Sequence, residues 1–221
     1  MATFTKSVSA GADDGFASAD GGFDNANALV YHGQDDPGGG THEQRGFHRW
    51  TNITIPPKST INSASVTLYN CSYGGPAGNI YLYVGFHAAD NPSAPAAYAD
   101  VWALSFAGSI AANNPGTGTV TISGLASSLQ SVVNRAGWAS GNALIFFNTD
   151  NGSTSDRKWL TGSYNGGYYD YLSVDYTPPP GGNPVSVTPY IMVFERWRKR
   201  MYNNLIQQGA VPLGRRGLVT I

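Results

Sequence analysis

A two-residue alternation of apolar and polar side chains is the feature that most limits how this chain folds. It is clearest in residues 65–71 and 79–87; in the second segment the apolar positions are Ile80, Leu82, Val84 and Phe86. Successive side chains of a strand point to opposite faces, so such a segment offers one face to a core and the other to water or a partner. The pattern predicts antiparallel sheets, because parallel sheets need intervening helices that the sequence lacks.

Turn-forming residues separate these two segments and seven further candidate strands. The chain has 28 Gly and 13 Pro among 221 residues, and only 12% of its residues are charged. We therefore predict an all-β fold, an antiparallel jelly-roll-type β-sandwich with one short capping helix and a C-terminal arm that is helical or extended. The predicted strands are 2–9, 28–32, 46–53, 65–71, 79–87, 118–122, 142–148, 158–162 and 169–177.

The capping helix is predicted between Ser123 and Gly137. Ser123 is a typical N-cap residue, and Gly137 is a typical residue just beyond a helix end. Between them, apolar residues recur at helical spacing, at Leu125, Leu129, Val132 and Val133. We expect this helix to pack its apolar stripe on one open end of the sandwich.

The chain divides into a sandwich domain (1–177), a Pro/Gly linker (178–188) and a basic amphipathic arm (189–221). Through Pro184 it has thirteen acidic and seven basic residues, a net charge of −6, whereas from Val185 onward it has one acidic and six basic residues, a net charge of +5. Two pieces of opposite charge therefore share one chain.

The arm carries an apolar stripe among basic residues, which predicts that it docks on a partner. Four clustered basic residues are few for nucleic-acid binding, so we favour a protein partner; folding back onto the acidic sandwich is the alternative. The residues predicted to contact the partner are Phe194, Arg196, Trp197, Arg198, Lys199, Arg200, Met201, Leu205, Arg215 and Arg216.

Aromatic residues on the outward faces of the predicted strands are candidates for glycan stacking or for a protein interface. The alternative is that they form cross-strand pairs that stabilise the sheets. These residues are Tyr81, Tyr83, Trp159, Tyr164, Tyr168, Tyr169 and Tyr171.

No sequence motif for catalysis is present: the chain lacks a G-x-S-x-G elbow, a P-loop, H-E-x-x-H and a CxxC pair, and Cys71 is its single cysteine. We predict a non-enzymatic protein with no catalytic residues and no cofactor. Two pairs of aspartates in glycine-rich loops are weak candidates for a structural Ca²⁺ site, and turn formation is the favoured interpretation for them. These are Asp13, Asp14, Asp35 and Asp36.

Three segments resemble the jelly-roll domains of the DNRLRE/disaggregatase-related type. They are SAGADDGFAS, RGFHRWTNITIPPKSTINSASVTLY and LASSLQSVVNRAGWASGNALIFF, followed by a closing YDYLSVDYT strand. The resemblance covers residues 3 to 177 and implies a carbohydrate-binding-like sandwich, of a kind found in bacterial surface proteins and in bacteriophage structural proteins. It implies adhesion or assembly, and it assigns no catalytic residue.

The N-terminus lacks a secretion signal and no stretch is long and apolar enough to span a bilayer, so we expect assembly in a host cytoplasm. Together with the resemblance, this favours a bacteriophage virion protein, a capsid decoration or head-associated component held by its arm. Its expected partners are other virion proteins such as the major capsid protein and further copies of itself, with glycans as candidate ligands and neither membrane nor nucleic acid. The alternative is a glycan-binding adhesin or tail-fibre module; a glycan-degrading enzyme is the least favoured reading.

Overall fold

The computed structural model describes residues 1–35, 42–74, 77–116, 118–154 and 157–180. These residues lie within one compact unit, Met1–Gly182. They form twelve strands and two α-helices, α1 (Tyr98–Trp102) and α2 (Ala126–Val133). The strands are β1 (Ala2–Ser7), β2 (Asp14–Ser18), β3 (Phe23–Asp24), β4 (Leu29–Asp35), β5 (His42–Ile53), β6 (Thr60–Gly74), β7 (Tyr81–His87), β8 (Phe106–Asn113), β9 (Gly118–Ile122), β10 (Asn142–Asp150), β11 (Lys158–Gly162) and β12 (Tyr171–Thr177).

The strands form an antiparallel β-sandwich, as the alternation predicted. Hydrogen-bonded neighbours follow the order β1-β12-β6-β11-β4-β5-β10-β7-β8, while β9 pairs with β6, and β2 pairs with β5 and β3. Side chains of β6, β11 and β12 share one core with side chains of β5, β7 and β10. The first layer therefore contains β1, β12, β6, β9, β11 and β4, and the second contains β2, β3, β5, β10, β7 and β8.

Strand β4 joins the two layers at one corner. Its first five residues pair with β11 of the first layer, and Gly33, Gln34 and Asp35 pair with the start of β5 in the second. Gly33 has a positive φ of 99°, a conformation that glycine adopts without the steric cost of a side chain. The chain therefore passes between the layers through continuous strand pairing.

Alternate residues of each strand fill the space between the layers. Burying a large apolar side chain contributes about 1.5–3 kcal/mol to the free energy of unfolding. Core side chains that are 1% exposed or less include Trp50, Val66, Leu68, Leu82, Val84, Phe86, Phe146, Trp159, Leu172 and Val174. Helix α2 covers one end of this core with its predicted apolar residues, all of which are buried.

A second, smaller apolar cluster lies on the outer face of β10. Ile145 and Phe147 alternate with the core residues Leu144 and Phe146, and they pack with Phe47 and with the residues of α1 and its flanks. Both faces of β10 are therefore buried. This explains why the segment Ala143–Phe147 is apolar at every position and does not alternate.

Each of the nine predicted strand segments overlaps an observed strand, and residues 118–122 and 158–162 match from end to end. The sequence interpretation missed β2, β3 and β8. Strand β8 packs Ala107, Ile110 and Ala112 against the core. Two of these three residues are small, so the apolar pattern of β8 is weak in the sequence. Strand β2 is buried at four of its five positions, including Asp14, Gly15 and Ser18, so it shows no apolar alternation, and β3 has only two residues.

The predicted start of the helix was wrong. Leu125, and not Ser123, is the N-cap residue of α2, and its side chain makes no capping hydrogen bond. Leu125 is fully buried, and its backbone N–H donates to the carbonyl of Ala64 at 3.2 Å. Packing on β6 therefore sets where this helix begins. Helix α1 was not predicted, since five residues are too few to show helical spacing.

A buried polar network lies at the corner where β4 meets both layers. His32 donates from Nδ1 to Oδ1 of Asn148 at 2.8 Å, and its Nε2 lies 2.9 Å from the hydroxyl of Thr161. The same Asn148 oxygen accepts the backbone N–H of Gly46 at 2.7 Å. These bonds connect β4, β5, β10 and β11 and satisfy polar groups that water does not reach.

Burial lowers the pKa of His32 to about 3 from a usual value of 6.5, and the nearby His48 adds to this effect. Between these values the unfolded chain binds a proton that the folded protein excludes. We therefore predict that the free energy of unfolding falls as the pH is lowered from 6.5 toward 3, by up to about 1.4 kcal/mol per pH unit. Urea unfolding across this range should show a shallower slope for His32→Gln; equal slopes would contradict the assignment.

Candidate functional site

Four tyrosines form a continuous surface on the outside of the first layer, here called the tyrosine face. It consists of Tyr69, Tyr168, Tyr169 and Tyr171, and three of them are among the most exposed large side chains described. Strand alternation fixes the direction of two of them. Leu68 and Leu172 are fully buried in the core, so their neighbours Tyr69 and Tyr171 point outward.

Tyr168 and Tyr69 stack on one another across this surface. Their ring centroids are 4.6 Å apart and the ring planes differ by 11°. The ring of Tyr168 also lies against the backbone of Gly162, where an added Cβ would come within 2.3 Å of it. A glycine at position 162 therefore lets the ring lie flat on β11.

The loop between β11 and β12 brings Tyr168 and Tyr169 to this surface. Residues Tyr164–Gly166 form a 3-10 turn, and the hydroxyl of Ser163 accepts the N–H of Gly166. Gly167 then adopts a left-handed conformation, with φ 80°, that redirects the chain into Tyr168. The ring of Tyr164 meets Tyr169 edge to face at 5.9 Å, which supports the exposed Tyr169 from behind.

A shallow pocket of about 170 Å³ lies on the tyrosine face. Aromatic rings and hydroxyl groups share its wall, since Thr67 and Thr119 lie beside the tyrosines. Aromatic faces pack against the apolar C–H faces of sugars, and hydroxyls exchange hydrogen bonds with sugar hydroxyls. The surface is therefore chemically suited to a neutral polyhydroxylated ligand.

The prediction that Trp159 is a surface platform was wrong. Its side chain is 1% exposed and packs against His32, with ring centroids 5.0 Å apart. Strand β11 turns Trp159 and Thr161 inward and leaves Leu160 half-buried on the other face. The sequence alternation locates a strand along the chain. Whether a large aromatic residue of that strand points inward depends on the space that the opposite layer leaves in the core.

Tyr81 and Tyr83 point outward as expected, but from the other side of the sandwich. Their neighbours Leu82 and Val84 are core residues of the second layer, so Tyr83, which is 43% exposed, faces away from the tyrosine face. The sequence interpretation also missed Tyr69. Its outward position follows from the alternation in residues 65–71, and its contact with Tyr168 follows only from the conformation of the loop before β12.

Three of the four candidate calcium ligands, Asp13, Asp14 and Asp35, lie in the part of the chain that the structure describes. Asp13 makes an ion pair with Arg49 at 2.5 Å, and Asp35 makes one with Lys158. Asp14 is buried, which raises its pKa to about 6. It lies in a group with His48 and Asp170, each of which offers one ligand atom within 4.8 Å of the others.

Several predicted residues lie outside the part of the chain that the structure describes. These are Asp36, most of the 178–188 linker and the whole 189–221 arm, including Phe194, Arg196, Trp197, Arg198, Lys199, Arg200, Met201, Leu205, Arg215 and Arg216. Their assignment stays a prediction from sequence.

No family model matches the chain, and no curated protein matches it in sequence. Among the described residues, neither helix has the length and apolar character needed to cross a membrane.

Gly162→Ala should disrupt the tyrosine face, because the new Cβ would overlap the ring of Tyr168. We expect the ring to leave its stack on Tyr69 and the free energy of unfolding to fall by about 1–3 kcal/mol. Near-ultraviolet circular dichroism and aromatic NMR shifts of Tyr69 would report the unstacking. Gly108→Ala is the control, since a Cβ there has its nearest contact at 3.4 Å. An unchanged Tyr69 environment in Gly162→Ala would contradict this geometry.

Proposed function

We propose that this chain is a non-enzymatic structural protein of a bacteriophage particle, a capsid decoration or head-associated component. The observation that carries the proposal is the separation of charge and hydrophobicity along the chain. The acidic residues are concentrated in the sandwich, whose last strand ends at Thr177, and a net +5 segment follows from Val185 onward. In this proposal the sandwich faces outward and the basic arm holds it to the particle.

The arm supports this proposal because its apolar residues need a surface to cover them. Phe194, Trp197, Met201 and Leu205 recur three or four positions apart, so a helix would bring them to one side. Interfaces commonly centre on such aromatic and apolar anchors, with basic residues around them. A neighbouring virion subunit, such as the major capsid protein, is a partner of suitable chemistry, and several copies of this chain would gather around it.

Removal of residues 185–221 should abolish incorporation into particles while the sandwich stays folded. Mass spectrometry of purified virions should show at least about a tenfold loss of copies, which corresponds to about 1.4 kcal/mol or more of anchoring free energy. The triple variant Trp197→Ala, Met201→Ala, Leu205→Ala should reproduce the loss. Tyr83→Ala, in the sandwich, is the matched control. Absence of the wild-type chain from virions, or normal incorporation of the truncated chain, would refute the proposal.

A second function, glycan binding, is favoured by one specific observation, the tyrosine face. Its stacked pair Tyr69 and Tyr168 and the exposed rings of Tyr169 and Tyr171 surround a shallow pocket. Structural stabilisation accounts for the stacked pair, because the ring of Tyr168 packs on Tyr69 and on the backbone of Gly162. It does not account for Tyr169, which lies in a loop and is 54% exposed. The two functions are compatible, since an outward-facing sandwich on a particle can bind host glycans.

Tyr169→Ala and Tyr171→Ala should each weaken glycan binding about tenfold, because losing one stacking contact costs about 1.4 kcal/mol. A glycan array would identify the ligand, and calorimetry would give the affinities. Tyr83→Ala removes an equally exposed tyrosine from the opposite face and should leave the affinity unchanged. Binding to no glycan on the array, or equal losses in all three variants, would exclude the tyrosine face as a glycan site.

A further inference from the structure

Two carboxylates and one imidazole meet in the interior beneath the tyrosine face. Asp14, His48 and Asp170 are 1%, 0% and 0% exposed, and each offers one ligand atom within 4.8 Å of the others. We call these three residues the Asp-His-Asp cluster. Neither proposed function uses it, and the sequence gives no motif for it, because the three residues are far apart along the chain.

Three separate elements hold the cluster together. Asp14 begins β2 directly opposite His48 of β5 in the strand register. Asp170 comes from the loop before β12, and its carbonyl accepts the backbone N–H of Val8 at 3.0 Å and the indole N–H of Trp50 at 3.3 Å. The cluster therefore bridges the second layer and the loop that presents Tyr168 and Tyr169.

Each carboxylate of the cluster has one oxygen that accepts a backbone hydrogen bond and one that accepts none. Oδ2 of Asp14 accepts the N–H of Tyr164 at 2.7 Å, and Oδ1 of Asp170 accepts the N–H of Tyr69 at 3.4 Å. Within the part of the chain that the structure describes, Oδ1 of Asp14, Oδ2 of Asp170 and both ring nitrogens of His48 are buried without a hydrogen-bond partner. Buried polar atoms are rarely left unsatisfied, and several in one place indicate an ion or another missing ligand.

His48 and Asp170 approach each other as closely as an ion pair does, but without a hydrogen bond. Nδ1 of His48 lies 2.9 Å from Oδ2 of Asp170, yet neither atom is in a hydrogen bond. The two atoms are close but are not aimed at each other. Ligand atoms about 2.1 Å from one metal ion are aimed at the ion and lie about 3.4 Å apart in a tetrahedral site, so an ion would move these two atoms apart by about 0.5 Å.

We propose that Asp14, His48 and Asp170 bind one divalent transition-metal ion, for which Zn²⁺ is the best match. One imidazole nitrogen and two carboxylate oxygens suit Zn²⁺, which binds both donor types with four ligands. Ca²⁺ takes six to eight oxygens and is a poorer match to a buried site with a nitrogen donor. This site differs from the oxygen-only calcium site expected from the aspartate pairs, and only Asp14 is common to both.

The ion would have a structural role. Its charge balances the two buried carboxylates, and its bonds connect β2 and β5 to the loop between β11 and β12. Since Tyr164 donates its N–H to Asp14 and Tyr169 precedes Asp170, the ion would fix the base of that loop. Metal binding should therefore stabilise the sandwich and order the loop.

The test is the metal content and thermal stability of the full chain, purified without an affinity tag or chelator. We expect about one Zn²⁺ per chain by mass spectrometry of the elements, loss of it after dialysis against a chelator, and a lower melting temperature of the apo protein. Adding back Zn²⁺ should restore the melting temperature, and Ca²⁺ should not. Replacement by Co²⁺ should give visible absorption bands typical of nitrogen and oxygen ligands.

His48→Gln and Asp170→Asn should lower the bound metal at least tenfold. His87→Gln and Asp175→Asn are matched controls, because they change a histidine and an aspartate outside the cluster, and both should keep the ion. If a cluster variant does not fold, the Co²⁺ spectrum and the melting shift of the wild-type chain decide the question. A folded wild-type chain that binds none of Zn²⁺, Co²⁺ or Mn²⁺ and shows no melting shift would overturn the proposal, whatever the outcome for virion or glycan binding.

Discussion

Burial of alternate side chains between two antiparallel layers is the constraint on which the other features of this protein depend. Each strand has two faces, so the residues that enter the core decide which of their neighbours reach the surface. Leu68 and Leu172 are fully buried, and this places Tyr69 and Tyr171 on the tyrosine face. Where both faces are covered, as in Ala143–Phe147 of β10, no residue is left for a surface function.

The same core also encloses two histidines, His32 and His48, which differ in whether their ring nitrogens have hydrogen-bond partners. His32 has a partner for each ring nitrogen, so it is held as a neutral imidazole that connects the layers. His48, whose ring centroid lies 5.8 Å from that of His32, has no hydrogen-bond partner for either nitrogen among the described residues. In a low-dielectric interior this contrast separates a structural histidine from a metal ligand, because an unsatisfied buried group costs free energy that a bound ion recovers.

The proposed functions divide between the two parts of the chain. The sandwich offers a recognition surface supported by a rigid core, and the arm offers charge and apolar anchors for assembly. A metal ion in the Asp-His-Asp cluster would support the recognition surface, since it would stiffen the loop that carries Tyr168 and Tyr169. Rigid aromatic surfaces lose less conformational entropy on binding, which favours recognition of weakly held ligands such as glycans.

The amino-acid sequence by itself determined the all-β antiparallel class, the ends of the strands at 118–122 and 158–162, and the apolar face of α2. These depend on local periodicity, which each segment carries alone. Only the tertiary structure decided that Trp159 faces inward, that Leu125 replaces Ser123 at the start of α2, that Tyr69 meets Tyr168, and that Asp14, His48 and Asp170 converge. The physical reason is that the sequence of a strand shows which residues share a face, but not which face points inward. The inward face and the contacting neighbours are set by strand register and by the space that the opposite layer leaves to fill.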